Sequence, residues 1–371
     1  MGEEVLSELR KKIDRVDEEI LRLLSKRAET VLEVGKLKSK ESLPTYLPKR
    51  EREILERLAK KNDGSLPESA VTSIFKEIIS GCRALERDFK VAYLGPEGTF
   101  SQMAALLLPE ECPSLLAAMN RLGTSPTYVA TRTIRSVFEE VSHGRADLGV
   151  VPIENSTVGT LFETLDPFVE FDLKICAEIY LTIHHHLLAM CPLNRVQRIY
   201  SKDTVFEQCK TWLEDELPRA QWVDVDSTTQ GVERAKSEEG SAAIASRLAS
   251  ETLGLPVLVE NIEDDPDNMT RFFIIGGESE EPTGRDKTSV MVALKDKVGA
   301  LYDILYSFKS HQINLTKIES RPSRRKPWDY YFFLDFQGHW KEEATKAALS
   351  EMSERAMFVK WLGSYIEGDK G

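Results

Sequence analysis

The sequence predicts a multidomain protein: an all-α segment over residues 1–88, an α/β domain over 89–278 and a smaller α+β domain of βαββαβ order over 286–371. Three observations carry this. A helical period runs unbroken from Leu6 to Lys38, the period changes to that of a strand at Lys90, and the charged stretch 276–286, with Pro282 and Gly284, separates two regions of different element order. With 371 residues and 41% hydrophobic content, the chain is long enough for two or three cores.

The first helix is predicted over 3–39, and Leu6, Arg10, Ile13, Asp17, Ile20, Leu24, Arg27, Val31, Val34 and Lys38 form one stripe along it. Three cations therefore stand where an amphipathic helix buries hydrocarbon. At the helical rise Arg27 and Lys38 lie about 16 Å apart and could close on one small dianion, whereas Arg10, about 25 Å from Arg27, reaches that ligand from another subunit or not at all. The bland alternative is that the cations snorkel from the edge of the stripe. A helix of this length implies packing against a partner helix. Pro44 and Pro48 end it, a second helix follows over 49–61, and a third over 67–87 buries Ile74, Ile78 and Ile79. Arg50 and Glu51 open the second helix and Glu86 lies near the end of the third. Several arginines around one pocket suit a small ligand bearing carboxylates.

From Lys90 to residue 275 strands and helices alternate, with apolar runs at 91–94, 148–153, 175–183, 242–245 and 272–275. Glu154, Asn155, Ser156 and Thr157 follow the strand ending at Ile153; a helix beginning there would offer free N–H groups as an anion site. Asn268, Met269, Thr270, Arg271 and Phe272 place a hydroxyl and a cation at the head of an apolar strand. His184, His185 and His186 invite a metal reading, but no Cys, Asp or Glu of ligand spacing lies near, so neither metal nor other cofactor is expected.

Beyond the linker, strands are predicted near 288–294, 312–320, 328–336 and 357–362 and helices near 299–310 and 341–354. Gly299, Ala300 and Leu301 open the first of these helices, and Glu319, Ser320, Arg321 and Pro322 close the second strand. A net charge of −12 argues against nucleic acid as partner, the dense basic run at Arg324, Arg325 and Lys326 reading as a solvated loop. Cys82, Cys112, Cys176, Cys191 and Cys209 are scattered without a CxxC pair, as reduced thiols in a cytoplasmic protein are. No apolar run of the roughly 18 residues that a membrane span needs occurs, so no membrane partner is expected.

At these residues three resemblances arise. LRKKID at 9–14, KR before AETVLEVGKLK at 26–38 and KRERE at 49–53 resemble the all-helical chorismate mutase family. That likeness implies two intertwined subunits that convert chorismate to prephenate. Arg10 and Arg27 would clamp carboxylates, Arg10 from the partner chain, with Lys38 facing the ether oxygen. Arg50 and Glu51 would organise the pocket and hold a hydroxyl, and Glu86 would donate to the ether oxygen. Cys82 would line the pocket where Ser is common, and Leu47 replaces the family's usual acid.

GPEGTFS at 95–101, VVPIENS at 150–156 and TRF at 270–272 resemble prephenate dehydratase. The likeness implies two α/β lobes of the periplasmic-binding-protein kind, one formed by 90–180 with 262–276 and the other by the segment between, and prephenate held in their cleft. Thr270 would hydrogen-bond the departing oxygen and Arg271 fix a carboxylate, with Thr99, Glu154, Asn155, Ser156, Ser201, Gln208 and Phe272 lining the cleft. Lys202, Asp203 and Thr204 depart from the family's usual His, Pro, Gln.

Residues 287–366, with ESRP at 319–322, resemble an ACT domain, the module that binds amino acids at subunit interfaces. Gly299, Ala300 and Leu301 would hold the head group of phenylalanine with Asn314 and Ser320, while Glu319 and Arg321, beside Pro322, would brace the interface. Together the likenesses imply two activities in one chain, a homodimer or homotetramer, and allosteric control by phenylalanine. Arogenate dehydratase action and a non-catalytic amino-acid sensor are the alternatives; Thr270, Arg271, Arg27 and Lys38 occurring together speak against the sensor.

Overall fold

The computed structural model describes residues 2–40, 89–111, 126–276, 281–294, 297–322 and 330–369, with 54, 57–58, 61–62, 64–67, 70–75 and 78–79 between the first two stretches. The chain divides into two compact units, Met1–Phe89 with Cys112–Thr127 and Lys90–Glu111 with Tyr128–Gly371.

In the first unit, α1 runs from Gly2 to Lys40 without a break, as its wealth of Leu, Glu, Lys and Arg favours. Leu6, Leu9, Ile13, Val16, Ile20 and Leu23 are each between 47% and 60% exposed in the single chain. So long an apolar stripe left bare marks a surface built to be covered. Residues 54, 57–58, 70–75 and 78–79 are also helical, and Ile79 is buried.

The second unit holds three sheets. In the first, β1 (Lys90–Leu94), β2 (Thr127–Thr131), β3 (Leu148–Asn155), β4 (Gly159–Thr160), β5 (Lys174–Thr182) and β11 (Met269–Gly276) take the order β2-β1-β3-β11-β5, with β4 on β3. β1 and β3 are parallel, as βαβ crossovers demand. Helix α2 (Phe100–Glu111) follows β1, and α3 (Ile134–Ser142) precedes β3. Thr133 caps α3 by accepting from Ser136 N–H at 3.1 Å, and the helix buries Ile134, Val137, Phe138 and Val141 against the sheet.

The second sheet, order β10-β6-β9-β7-β8, comprises β6 (His186–Ala189), β7 (Arg198–Ser201), β8 (Gln221–Asp224), β9 (Ser241–Ala245) and β10 (Val257–Val259). The lobes thus divide as the dehydratase likeness implied: the chain leaves the first sheet after β5 and returns to it at β11. They touch through the GPEGTFS turn. Thr229 donates to Glu97 O at 3.0 Å and Ser246 to Gly98 O at 2.8 Å. Gly98 has φ +80, and a Cβ there would meet Ala249 Cα at 3.0 Å, so both the turn and the close lobe approach require glycine.

The third sheet, order β13-β14-β12-β15, consists of β12 (Asp286–Ala293), β13 (Leu315–Pro322), β14 (Tyr330–Gln337) and β15 (Phe358–Ile366). With the helices Ala300–Ser310 and Glu343–Arg355 it completes the βαββαβ order. One sheet face packs Val290, Val292, Leu334 and Phe336 on the helical residues Ile304, Phe308 and Met352. The opposite face joins the first lobe's core through Met291, Ala293, Tyr331, Phe333, Leu362 and Tyr365. β15 crosses β5 so closely that a Cβ on Gly363 would lie 2.1 Å from Ile175 O.

Candidate active site

β3 and β11 are antiparallel neighbours, with Asn155 opposite Thr270 and Glu154 opposite Arg271. Side chains alternate along strands, so Asn155 and Thr270 share one face and Glu154 and Arg271 the other. On the first face Asn155 Nδ2 donates to Thr270 Oγ1 at 2.9 Å and to Asn268 Oδ1 at 2.8 Å. Thr270 already accepts from Asn155, so its own hydrogen is left to donate elsewhere.

No helix begins after Ile153: β3 continues through Asn155 and the chain turns back as β4. The expected N–H anion site is therefore corrected, because Asn155 Oδ1 accepts from Thr157 and Val158 N–H, each at 3.0 Å. This Asx turn takes the donors and fixes the Asn155 amide at once. Ser156 is tied to Met269 instead, its N–H donating to Met269 O at 2.8 Å and its Oγ accepting from Met269 N–H at 2.9 Å.

Of the other predicted cleft residues, Thr99 donates to Leu94 O at 3.0 Å at the start of α2, and Phe272 is buried. Ser201 is fully buried and donates to Ile244 O at 2.9 Å. Gln208 Oε1 lies 2.8 Å from His185 Nε2, and His185 meets Phe100 of the GPEGTFS turn edge-on at 5.5 Å. Burial holds His185 below the ordinary histidine value despite its bond to Gln208, so the ring is neutral. His184 pairs with Glu263 at 2.7 Å, a carboxylate that sequence spacing did not bring near. Burial would raise Glu263, but His184 and the His185 N–H outweigh it and hold the carboxyl below its usual range. Among the described residues no group of three His, Cys, Asp or Glu is arranged to hold a metal.

Arg271 is not where the carboxylate-fixing role would need it. It is 5% exposed, on the face opposite Thr270, and each nitrogen of its guanidinium has a partner. Nε donates to Glu178 Oε2 at 2.7 Å, Nη1 to Asp335 Oδ2 at 2.6 Å and Nη2 to the Tyr365 hydroxyl at 3.2 Å. Glu178 also takes Lys287 Nζ and the Gly368 N–H, both at 2.9 Å, and Asp335 takes Ser289 Oγ at 2.6 Å. Burial opposes the charge on Arg271, yet Asp335, Tyr365 and Glu178 hold it above the ordinary arginine value. Burial and then Asp335 push the Tyr365 phenol well up, keeping it neutral. Two cations and two carboxylates thus balance in a buried cluster that ties β11 and β5 to β12, β14 and β15. Glu154 belongs to the same side, with Lys317 at 2.9 Å and Arg271 at 3.9 Å.

The ESRP residues divide by alternation. Glu319 accepts from Thr160 at 2.8 Å, and Arg321 grips Asp166 through two bonds of 3.0 and 2.8 Å while lying 4.6 Å from the centre of the Phe162 ring. Both brace β13 against the first lobe of the same chain. Asn314, Ser320 and Pro322 are exposed, as are Ile318 at 43% and Tyr302 at 67% near the Gly299–Leu301 helix start.

In the first unit, Arg27 Nη1 donates to Ile78 O at 3.3 Å, fastening α1 to the third helical stretch, and Arg10 is exposed. The Lys38 side chain, and Arg50, Glu51, Cys82 and Glu86 entirely, lie outside the described residues.

The family described as prephenate dehydratase matches residues 91–280, and that described as chorismate mutase type II matches residues 9–87. A bifunctional chorismate mutase/prephenate dehydratase of Aquifex aeolicus is 47% identical over 367 residues, covering 98% of this chain and 98% of its own. One from Pseudomonas aeruginosa is 43% identical, covering 97% of each. Among solved structures, prephenate dehydratase from Arthrobacter aurescens in complex with L-Phe aligns with TM-score 0.67 at 33% identity, covering 76% of this chain and 91% of that one.

Proposed function

Because the chain belongs to the family of bifunctional chorismate mutase/prephenate dehydratases, we infer from its geometry how the two reactions are divided among its residues. It rearranges chorismate to prephenate and then converts prephenate to phenylpyruvate with loss of carbon dioxide and water. The domains we assign are 1–88 for the mutase, 89–278 for the dehydratase and 286–371 for an ACT regulatory domain.

The single observation that carries the dehydratase assignment is the Asn155–Thr270 bond, which leaves the hydrogen of the Thr270 hydroxyl to donate elsewhere. Ring aromatisation drives the reaction, so the protein has mainly to assist the oxygen that leaves. Thr270 donates a hydrogen bond to it rather than a proton, since a threonine hydroxyl is a poor acid. Gln208, aligned by His185, binds from the facing lobe. Purified protein fed chorismate alone should produce the absorbance of phenylpyruvate; accumulation of prephenate without phenylpyruvate would refute the second activity.

For the mutase we assign Arg10 and Arg27 to the carboxylates, Lys38 and Glu86 to the ether oxygen, and Arg50 and Glu51 to organising the pocket, with Cys82 lining it. The rearrangement needs a compact conformer and stabilised charge on oxygen, not a nucleophile. The bare apolar stripe of α1 supports an intertwined homodimer in which Arg10 crosses to the partner's pocket, and two such dimers would give a tetramer. Glu86 donates only while protonated, so mutase turnover should fall as pH rises through its pKa, and Glu86→Gln should flatten the profile. Identical pH–rate curves for the two proteins would remove Glu86 from this role.

Regulation by phenylalanine is the third part of the proposal, supported by the L-Phe complex of the Arthrobacter relative. The exposed Asn314, Ser320 and Gly299, with the backbone of the half-buried Ala300 and Leu301, offer the head-group contacts, between two copies of the β12–β15 sheet. A shift of β14 or β15 reaches Thr270's own strand through Asp335, Tyr365 and Arg271. Phenylalanine should therefore slow prephenate turnover and alter the sedimentation of the assembly; no change in either would refute the regulatory role. No described helix is long and apolar enough to cross a membrane, and scattered cysteines support a cytoplasmic setting.

A further inference from the structure

Asn268 lies where the chain crosses between the lobes: its carbonyl accepts from Ile183 N–H at 2.8 Å, immediately before His184 and the start of the second sheet. The residue is 1% exposed. The orientation of its amide follows from the backbone outward. Thr157 and Val158 N–H both donate to one atom of Asn155, which must be oxygen, so the other is the nitrogen. That nitrogen meets Asn268 at 2.8 Å, and the atom it meets must be the carbonyl oxygen. Thr157 Oγ1 approaches the same oxygen at 3.4 Å.

Asn268 Nδ2 is thereby turned away from every acceptor in this cluster, and it is buried with no hydrogen-bond partner. Burying an amide donor unsatisfied is costly, and native folds rarely tolerate it without a use. The Thr270 hydroxyl is its neighbour, because both residues accept from the single nitrogen of Asn155. A hydroxyl and an unsatisfied amide donor thus belong to two residues that share the Asn155 nitrogen at the crossing of the lobes.

We propose that Asn268 Nδ2 is a second hydrogen-bond donor to the departing oxygen of prephenate, acting beside Thr270; this rests on the reading of the Thr270 cleft given above. The bond from the ring to its carboxylate breaks, carbon dioxide leaves, and the released electron pair enters the ring. The carbon–oxygen bond opposite breaks with its pair on oxygen, which takes a proton from solvent and leaves as water. Asn268 and Thr270 keep their protons throughout. Each stabilises the charge that gathers on oxygen, where fixed donors act without having to reorganise.

The test uses the full chain with Asn268→Asp, Asn268→Ala and Thr270→Ala, assayed on prephenate across pH, with thermal transitions compared to confirm folding. Asn268→Asp keeps the oxygen that Asn155 needs and replaces the donor by a carboxylate. Its kcat should fall about a hundredfold at pH 8 with KM nearly unchanged, because one fixed donor to developing charge is lost. It should recover as acid protonates the carboxyl and restores a donor, whereas the loss in Asn268→Ala should not respond to pH. Wild-type turnover in Asn268→Asp, a loss confined to KM, or a loss that acid does not relieve would overturn the proposal. Should the Asp variant fail to fold, the kcat-against-KM split of Asn268→Ala decides. Full dehydratase activity in Thr270→Ala would overturn the cleft reading itself, which keeps the two failures distinguishable.

Discussion

Thr270→Ala should lower prephenate turnover by roughly a hundred- to a thousandfold while leaving the conversion of chorismate to prephenate at its wild-type rate, the scale seen when one fixed donor to a developing oxyanion is removed. Thr270 is 9% exposed and its hydroxyl is held by Asn155 at 2.9 Å, so the substitution removes a donor without opening a large cavity. Steady-state kinetics with each substrate separately checks both halves. The loss should fall on kcat, because the bond strengthens as charge builds on oxygen. Equal loss of both activities would contradict separate sites, since α1 and Thr270 belong to different compact units.

Asp335→Ala has its largest effect on stability. Removing one partner of a buried ion pair leaves an uncompensated charge, here the Arg271 guanidinium at 5% exposure, and costs about 3–5 kcal/mol. The calorimetric transition of the second unit should fall by on the order of 10 °C, given how stability converts to Tm in a body of this size. Ser289 loses its acceptor as well, and its hydroxyl is then shared with Tyr365 alone. Prephenate turnover should fall with it, because the cluster fixes the strand that carries Thr270. A transition within a degree or two of wild type would show that the cluster is not what fastens β11 to the β12–β15 sheet.

The elements themselves were legible because hydrophobic periodicity is local. The helix expected over 3–39 is Gly2–Lys40, and the strand expected over 288–294 is Asp286–Ala293. The C-terminal order βαββαβ is likewise as expected. The site was legible in part. Thr270 and Asn155 stand together as the motifs implied, but Arg271 was grouped with Thr270 because the two are adjacent in sequence. Period-two alternation alone sends neighbours on a strand to opposite faces, and that signal was available. The rest of its cluster was not: Glu178, Asp335 and Tyr365, which bond Arg271, and Lys287, which bonds Glu178, come from four strands spread over 188 positions of the chain, and nothing local links them. That no helix begins after Ile153 has a chemical reason. Asn155 can take two backbone N–H groups in a turn, and Gly159 lets the chain reverse into β4. The run His184–His186 showed nothing of the contact His185 makes, because that contact is an amide side chain 23 residues away.

Two separate sites in one chain can be tested by complementation. Arg10→Ala protein, lacking a mutase clamp, and Thr270→Ala protein, lacking the dehydratase donor, are each given chorismate alone and then mixed. Each variant by itself should form little or no phenylpyruvate, the second accumulating prephenate, and the mixture should form it readily as prephenate passes from one protein to the other. Phenylpyruvate formed at the wild-type rate by either variant alone, or none formed by the mixture, would contradict the account.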